Sequence, residues 1–185
     1  HIDAVVSVAE TVGDGELSRR AIERRVDASI EPRDRTEWLE RLAELYVKRS
    51  QPEPAAERLK EAADTAMGMG DEALAQRLHE RVLALFPTDL ESTRVLSELY
   101  ERAGAWERIP PLLRVLADAA PDGAKKAAIL SQQARVLSER LGLRVNAARA
   151  MAEAFSVAPT DRDVIAAFEQ TAIAAGEQEL FASSV

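Results

Sequence analysis

The 185-residue chain has no cysteine, and only two histidines, two tryptophans, two tyrosines and four phenylalanines. Without cysteine there are no disulfides, no cysteine-ligated zinc or iron–sulfur clusters, and no thiol nucleophile. That absence fits a cytoplasmic protein, the location expected. A single internal histidine, His79, cannot serve as both base and ligand cluster, so histidine triads and zinc hydrolysis find no support. No apolar run approaches the ~20 residues of a membrane-spanning helix, and no signal-peptide pattern opens the chain. The first residue is His1 rather than Met, as expected of a segment of a longer polypeptide.

The charge that is present is mixed. Net charge is −8, which argues against nucleic acid as the main ligand, because phosphate neutralisation needs clustered Lys and Arg. Residues 1–50 carry 11 acids against 9 bases, and 90–126 carry 6 against 6. Interleaving such as Arg33-Asp34-Arg35 reads as solvated helix faces with paired charges. Hydrophobic residues at 46% and charged residues at 30% are the balance of a folded domain.

Ala, Leu, Glu and Arg dominate, all strong helix formers. β-branched residues are sparse, and nothing alternates at period two. Gly and Pro punctuate the chain at Gly13–Gly15, Pro32, Pro52–Pro54, Gly68–Gly70, Pro87–Asp89, Gly104, Pro121–Gly123, Gly142, Pro159–Asp161 and Gly176. Between them the apolar spacing predicts helices over about 2–12, 15–30, 34–49, 53–68, 71–86, 90–103, 106–119, 123–141, 143–157 and 161–175. Asp89 and Asp161 sit where N-caps are wanted. Gly70, Gly104, Gly142 and Gly176 sit where a left-handed residue ends a helix at least cost. Loops this short make successive helices antiparallel neighbours.

The chain also repeats. An offset of 72 residues pairs Gly70 with Gly142, Ala75 with Ala147, Pro87-Thr88-Asp89 with Pro159-Thr160-Asp161, and Ala103-Gly104 with Ala175-Gly176. Pro87 and Pro121 lie 34 residues apart, so the long repeat divides into two helical hairpins. A helix–turn–helix of this period, closed by a Pro-Asx loop, resembles the tetratricopeptide repeat. Residues 90–123 place Leu96, Ser97, Tyr100, Leu113 and Pro121 at the family's large, small and loop sites, with Arg94 and Ile109 as departures. Residues 128–161 supply Ala134, Ala147, Met151, Ala154 and Pro159, but Ser138 stands in place of the Tyr. Residues 56–89 supply Leu59, Ala63, Ala75 and Pro87. Residues 36–69 fit as well, through Leu39, Leu42, Ala43, Tyr46, Ala55, Leu59 and Ala62, in the opposite phase. The 72-residue phase is preferred because it also accounts for Gly70 and the loop tripeptides, and the other phase stays open.

The resemblance implies an all-α fold, a right-handed α-α superhelix of nine to ten antiparallel helices. One array over 1–185 is expected, with super-repeats at about 54–125 and 126–185 and preceding helices in 1–53. In the family the first helix of each hairpin lines a concave surface. Carried onto this chain, that surface takes Glu57, Lys60, Glu61, Asp64 and Met67, then Glu91, Arg94, Val95, Glu98, Glu101 and Arg102. It continues through Ile129, Gln132, Gln133, Val136, Glu139 and Arg140 to Asp163, Ala166, Ala167, Gln170 and Ile173. Its acids would form one negative stretch relieved by Lys60, Arg94 and Arg102. A basic or amphipathic peptide, or another folded protein, suits such a surface. The carboxylate clamp of some members is not implied, since the one asparagine, Asn146, falls in a second helix.

The function expected is therefore a non-catalytic protein-interaction module of a larger bacterial protein, bacterial being an inference from the Ala/Arg/Leu bias. The alternative is a structural spacer or self-assembling segment. No cofactor, metal, nucleic acid or membrane insertion is expected. Gly13-Asp14-Gly15 and Gly68-Met69-Gly70 read as turns, for no strand precedes them and a third glycine is missing. Paired acids such as Glu57 and Glu61 read as surface charges, since glycoside chemistry would need them in a cleft. His79 reads as a packed residue. Trp106 reads as a core wedge, with Pro110-Pro111 either delaying its helix or distorting the first turn.

Overall fold

A computed structural model describes residues 4–5, 7–8, 11 and 14–184. The helix expected at 2–12 and the turn at Gly13 lie largely outside them. The described residues form ten α-helices and no strand. They are α1 (Gly15–Ala28), α2 (Pro32–Lys48), α3 (Pro52–Gly68), α4 (Glu72–Leu85), α5 (Leu90–Ala103), α6 (Ile109–Asp118), α7 (Gly123–Arg135), α8 (Arg144–Val157), α9 (Arg162–Ala175) and α10 (Gln178–Ala182). The chain packs as two units, His1–Ser92 and Thr93–Val185, divided within α5.

The helix starts follow from local chemistry. Asp14, Asp71, Asp122 and Asp161 each turn a carboxylate onto backbone N–H groups of the first turn, at 2.7–3.3 Å. Asp89 does the same for the Ser92 amide at 2.8 Å. These contacts satisfy donors that the helix itself leaves without acceptors. Pro residues open α2, α3 and α6, where no amide hydrogen is required. The Pro110-Pro111 question resolves into both alternatives at once. Trp106–Arg108 forms a 3₁₀ turn, and the α-helix proper starts at Ile109.

Four of the helix ends share one device. Gly70, Gly104 and Gly176 are left-handed, with φ of 75°, 70° and 74°, and so is Ser50 at 56°. The next amide then reaches back five residues, as in Asp71 to Ala66 at 2.9 Å and Ala105 to Tyr100 at 2.8 Å. Gln51 to Tyr46 and Glu177 to Ala172 repeat the geometry. Gly142 departs from it: Leu143 N–H donates to the Leu137 carbonyl six residues back, at 2.7 Å. The extra residue is taken up by a π turn over Val136–Arg140, so the helix expected through 141 stops being α-helical at Arg135.

In the first unit, α1, α2, α3 and α4 pack in succession around Ile22, Leu39, Leu42, Leu59, Leu78 and Val82, all at most 2% exposed. Alanines at 0% exposure, Ala43, Ala62, Ala63, Ala66 and Ala75 among them, let the helix axes approach closely. In the second unit the core runs through Leu130, Met151, Ala147, Ala154 and Phe168. Phe168 meets Phe155 at 5.9 Å and Phe181 edge-on at 5.2 Å, which fastens α10 to α9. Next-but-one helices also touch within each unit. Glu40 of α2 receives Arg77 and Arg81 of α4, and α7 contacts α9.

Neither tryptophan is in the core. Trp106 is half-buried, a correction to its reading as a wedge. Trp38, also half-buried, donates to Asp34 at 3.1 Å and lies between the guanidinium groups of Arg25 and Arg41, at 5.4 and 5.0 Å. Stacked arginines cover aromatic surface at the rim of a helix pair and leave their own charge in water.

Candidate binding surface

The expected concave-face residues divide between the two units. In the first, Glu61 of α3 receives Arg35 of α2 and, at 2.7 Å, Arg58 of its own helix. Lys60 bridges Asp89 and Glu91 at the start of α5. Burial disfavours the Lys60 ammonium, but the hydrogen bonds it donates to both carboxylates outweigh this and raise the pKa above the usual lysine value. The acids of this stretch are thus relieved by Arg35 and Arg58 as well as by Lys60, a correction to the expected charge. Glu57 and Asp64 remain exposed, and Glu57 comes within 3.7 Å of Arg58.

His79 of α4 is buried at 2% exposure, with its Nδ1 3.1 Å from the Ser92 hydroxyl. Desolvation lowers its pKa, opposed by the carboxylates of Asp64, Glu91 and Asp89. Its burial and its one hydrogen-bond partner give it a packing role. Among the described residues no group of three His, Asp or Glu side chains is placed to hold a metal ion.

In the second unit, Arg94 and Glu98 of α5 pair with each other at 3.2 Å. Gln133 turns away from any partner surface and donates to the Pro110 carbonyl at 2.8 Å. Gln132, one residue earlier, borders two open pockets. The larger, about 410 Å³, runs between α7 and α9 over the Met151 side chain of α8. Ala128, Ser131, Gln132 and Ala134 on α7 and Ala167, Gln170 and Thr171 on α9 line it, together with Arg135, Ser138 and Glu139 where α7 runs into the π turn. The Ser131 and Thr171 hydroxyls donate to carbonyls of their own helices, so the Gln132 and Gln170 amides and the charged groups of Arg135 and Glu139 are left to meet a visitor. Four expected residues, Gln132, Glu139, Ala167 and Gln170, therefore share one groove.

The smaller pocket, about 200 Å³, lies at the π turn, where Glu101, Gln132, Arg135, Glu139 and Arg140 surround Trp106. Arg140 stacks on the Trp106 ring at 4.4 Å. Sequence reasoning placed Arg140 on the surface but could not pair it with Trp106, because the pairing depends on the extra residue of the π turn. In the first unit, an apolar groove of about 360 Å³ between α2 and α4, over Leu59, was not foreseen. Its only sequence signal is Val47, an exposed apolar residue.

Hairpins of short helices, close alanine contacts and left-handed turns give the chain a tetratricopeptide-like helical-repeat fold. No model of a known protein family matches the chain, and no curated protein matches it. Among solved structures it is similar to MamA from Desulfovibrio magneticus RS-1 (17% identity, 92% of this chain and 91% of that one, TM-score 0.45). A MamA RS-1 double mutant gives 17% identity over 92% and 90%, with TM-score 0.48. A tetratricopeptide repeat protein from Parabacteroides merdae gives 11% over 99% and 75%, with TM-score 0.37. The fold assignment stands on the hairpins themselves.

Proposed function

We propose that this chain is a protein-interaction module that holds a segment of a partner in the groove between α7 and α9. The observation that carries the reading is the groove's composition. Two amides face a trough with alanine walls and a methionine floor, also lined by Arg135 and Glu139, which suits a polar peptide segment with small side chains. A catalytic role is not part of this reading. The groove offers amides, aliphatic surface and the Arg135 and Glu139 charges, and the one buried histidine is occupied in packing. No described helix is long and apolar enough to cross a membrane.

The test is capture of binding proteins from lysate of the source cells by the natural chain and by Ala128→Arg and Ala167→Arg variants. These long side chains fill the trough from its walls. Loss of one partner in both variants, with the circular-dichroism spectrum unchanged, is the expected result. A partner retained by both would move the interface elsewhere. Self-association is the second reading, favoured by Ile30 at 94% and Ile173 at 56% exposure. Light scattering over a concentration series separates the two: a mass that grows with concentration favours assembly.

A further inference from the structure

The pocket at the π turn carries an inference beyond the groove. The Trp106 ring is half-buried, and its free face is covered by a guanidinium of the same chain, Arg140, at 4.4 Å. Arg140 holds no ion pair among the described residues, so the stacking contact and the charge of the surrounding carboxylates are what keep it on the ring. Around the ring stand two carboxylates, Glu101 and Glu139, and one further cation, Arg135. With Arg140 in place the charges balance. With Arg140 turned out to solvent the pocket keeps an excess negative charge beside an aromatic face, the arrangement that attracts a cation. A planar guanidinium also stacks on an indole, which an ammonium does not do.

We infer that Trp106, Glu101 and Glu139 form a receptor for an arginine side chain of a partner protein, a place that Arg140 fills while the site is free. Arg140 is then an exchangeable stand-in. An incoming arginine repeats its contact with the ring and brings the rest of its own chain as added surface. Competition by Arg140 lowers affinity for an isolated guanidinium, so the site answers to arginine within a larger docking segment.

The experiment uses N-acetylarginine amide as probe and the neutral N-acetylcitrulline amide as control, followed by NMR on the indole N–H signals. The chain has two tryptophans, so the Trp38 signal serves as internal reference and Trp106→Phe assigns the other. The arginine probe should shift the Trp106 signal saturably and leave Trp38 alone, while the citrulline probe should do nothing. Arg140→Ala removes the competitor and should tighten the probe at least about fivefold, the equivalent of ~1 kcal/mol of cation–π contact. Glu101→Gln and Glu139→Gln, at exposed positions, should each weaken binding in the natural background without altering the fold. Equal shifts with arginine and citrulline, or no tightening in Arg140→Ala, would overturn the inference. Either failure leaves the α7–α9 groove untouched, because that groove is read by its own filling variants.

Discussion

The same chemical change, Gly to Ala, should have opposite signs at two positions of this chain. Gly123 opens α7, and a Cβ built there falls 2.5 Å from the Val157 carbonyl oxygen, 3.5 Å from its carbon and 3.8 Å from its Cβ. The nearest atom is backbone at the end of α8, so no side chain can step aside. The methyl would be about an ångström short of an ordinary van der Waals separation. Overpacking of this kind costs ~1–3 kcal/mol, and the helix-propensity gain of Ala over Gly returns at most ~1. A net loss of about 1–2 kcal/mol is expected. Gly68 ends α3 with helical backbone and nothing within 4 Å of its would-be Cβ. There the propensity gain stands alone, and Gly68→Ala should stabilise by ~0.5–1 kcal/mol. For a chain of this size each kcal/mol moves the melting temperature by about 2–4 °C. Thermal unfolding followed by far-UV circular dichroism reads both variants against the natural chain. If Gly123→Ala melts at or above the natural chain, the close approach of α7 to α8 is wrong. If Gly68→Ala melts lower, the open surface assigned to the end of α3 is wrong.

Four further outcomes are expected. Ser50 holds a left-handed conformation that costs a non-glycine residue ~1–2 kcal/mol, so Ser50→Gly should raise the melting temperature by a few degrees. Ala75→Leu and Ala147→Leu, both at sites of 0% exposure, should each destabilise by ~1–3 kcal/mol in urea unfolding. Phe168→Ala removes a fully buried ring and its contacts to Phe155 and Phe181, which should cost ~3–5 kcal/mol by the same measurement. The folded-state pKa of His79 is lowered by burial, so the unfolded chain binds the proton first as pH falls below about 6.5. Stability should then decline from pH 7.5 to 5.5 more steeply in the natural chain than in His79→Gln. Parallel slopes for the two proteins would refute that account of the histidine.

The sequence by itself determined the helices, their caps and most of their ends. A cap or a left-handed turn is decided within five residues, so Asp89, Asp161, Gly70, Gly104 and Gly176 could be placed from local chemistry, and Gly142 was found as a left-handed position for the same reason. The buried alanines were legible too, because their spacing repeats with the helix period. Ser50 was missed, since no residue-type signal marks a serine as left-handed. The pairings between elements lay beyond reach. Whether Glu61 meets Arg35, whether Gln133 turns to Pro110 while Gln132 stays at the groove, and whether Arg140 covers Trp106 all depend on axial register between helices. A shift of one residue rotates a side chain about 100° around its helix. The π turn makes such a shift at Val136–Arg140, and only the tertiary structure decided it. An added residue there is set by how α7 meets α6 and α8, not by any local preference of Val-Leu-Ser-Glu-Arg.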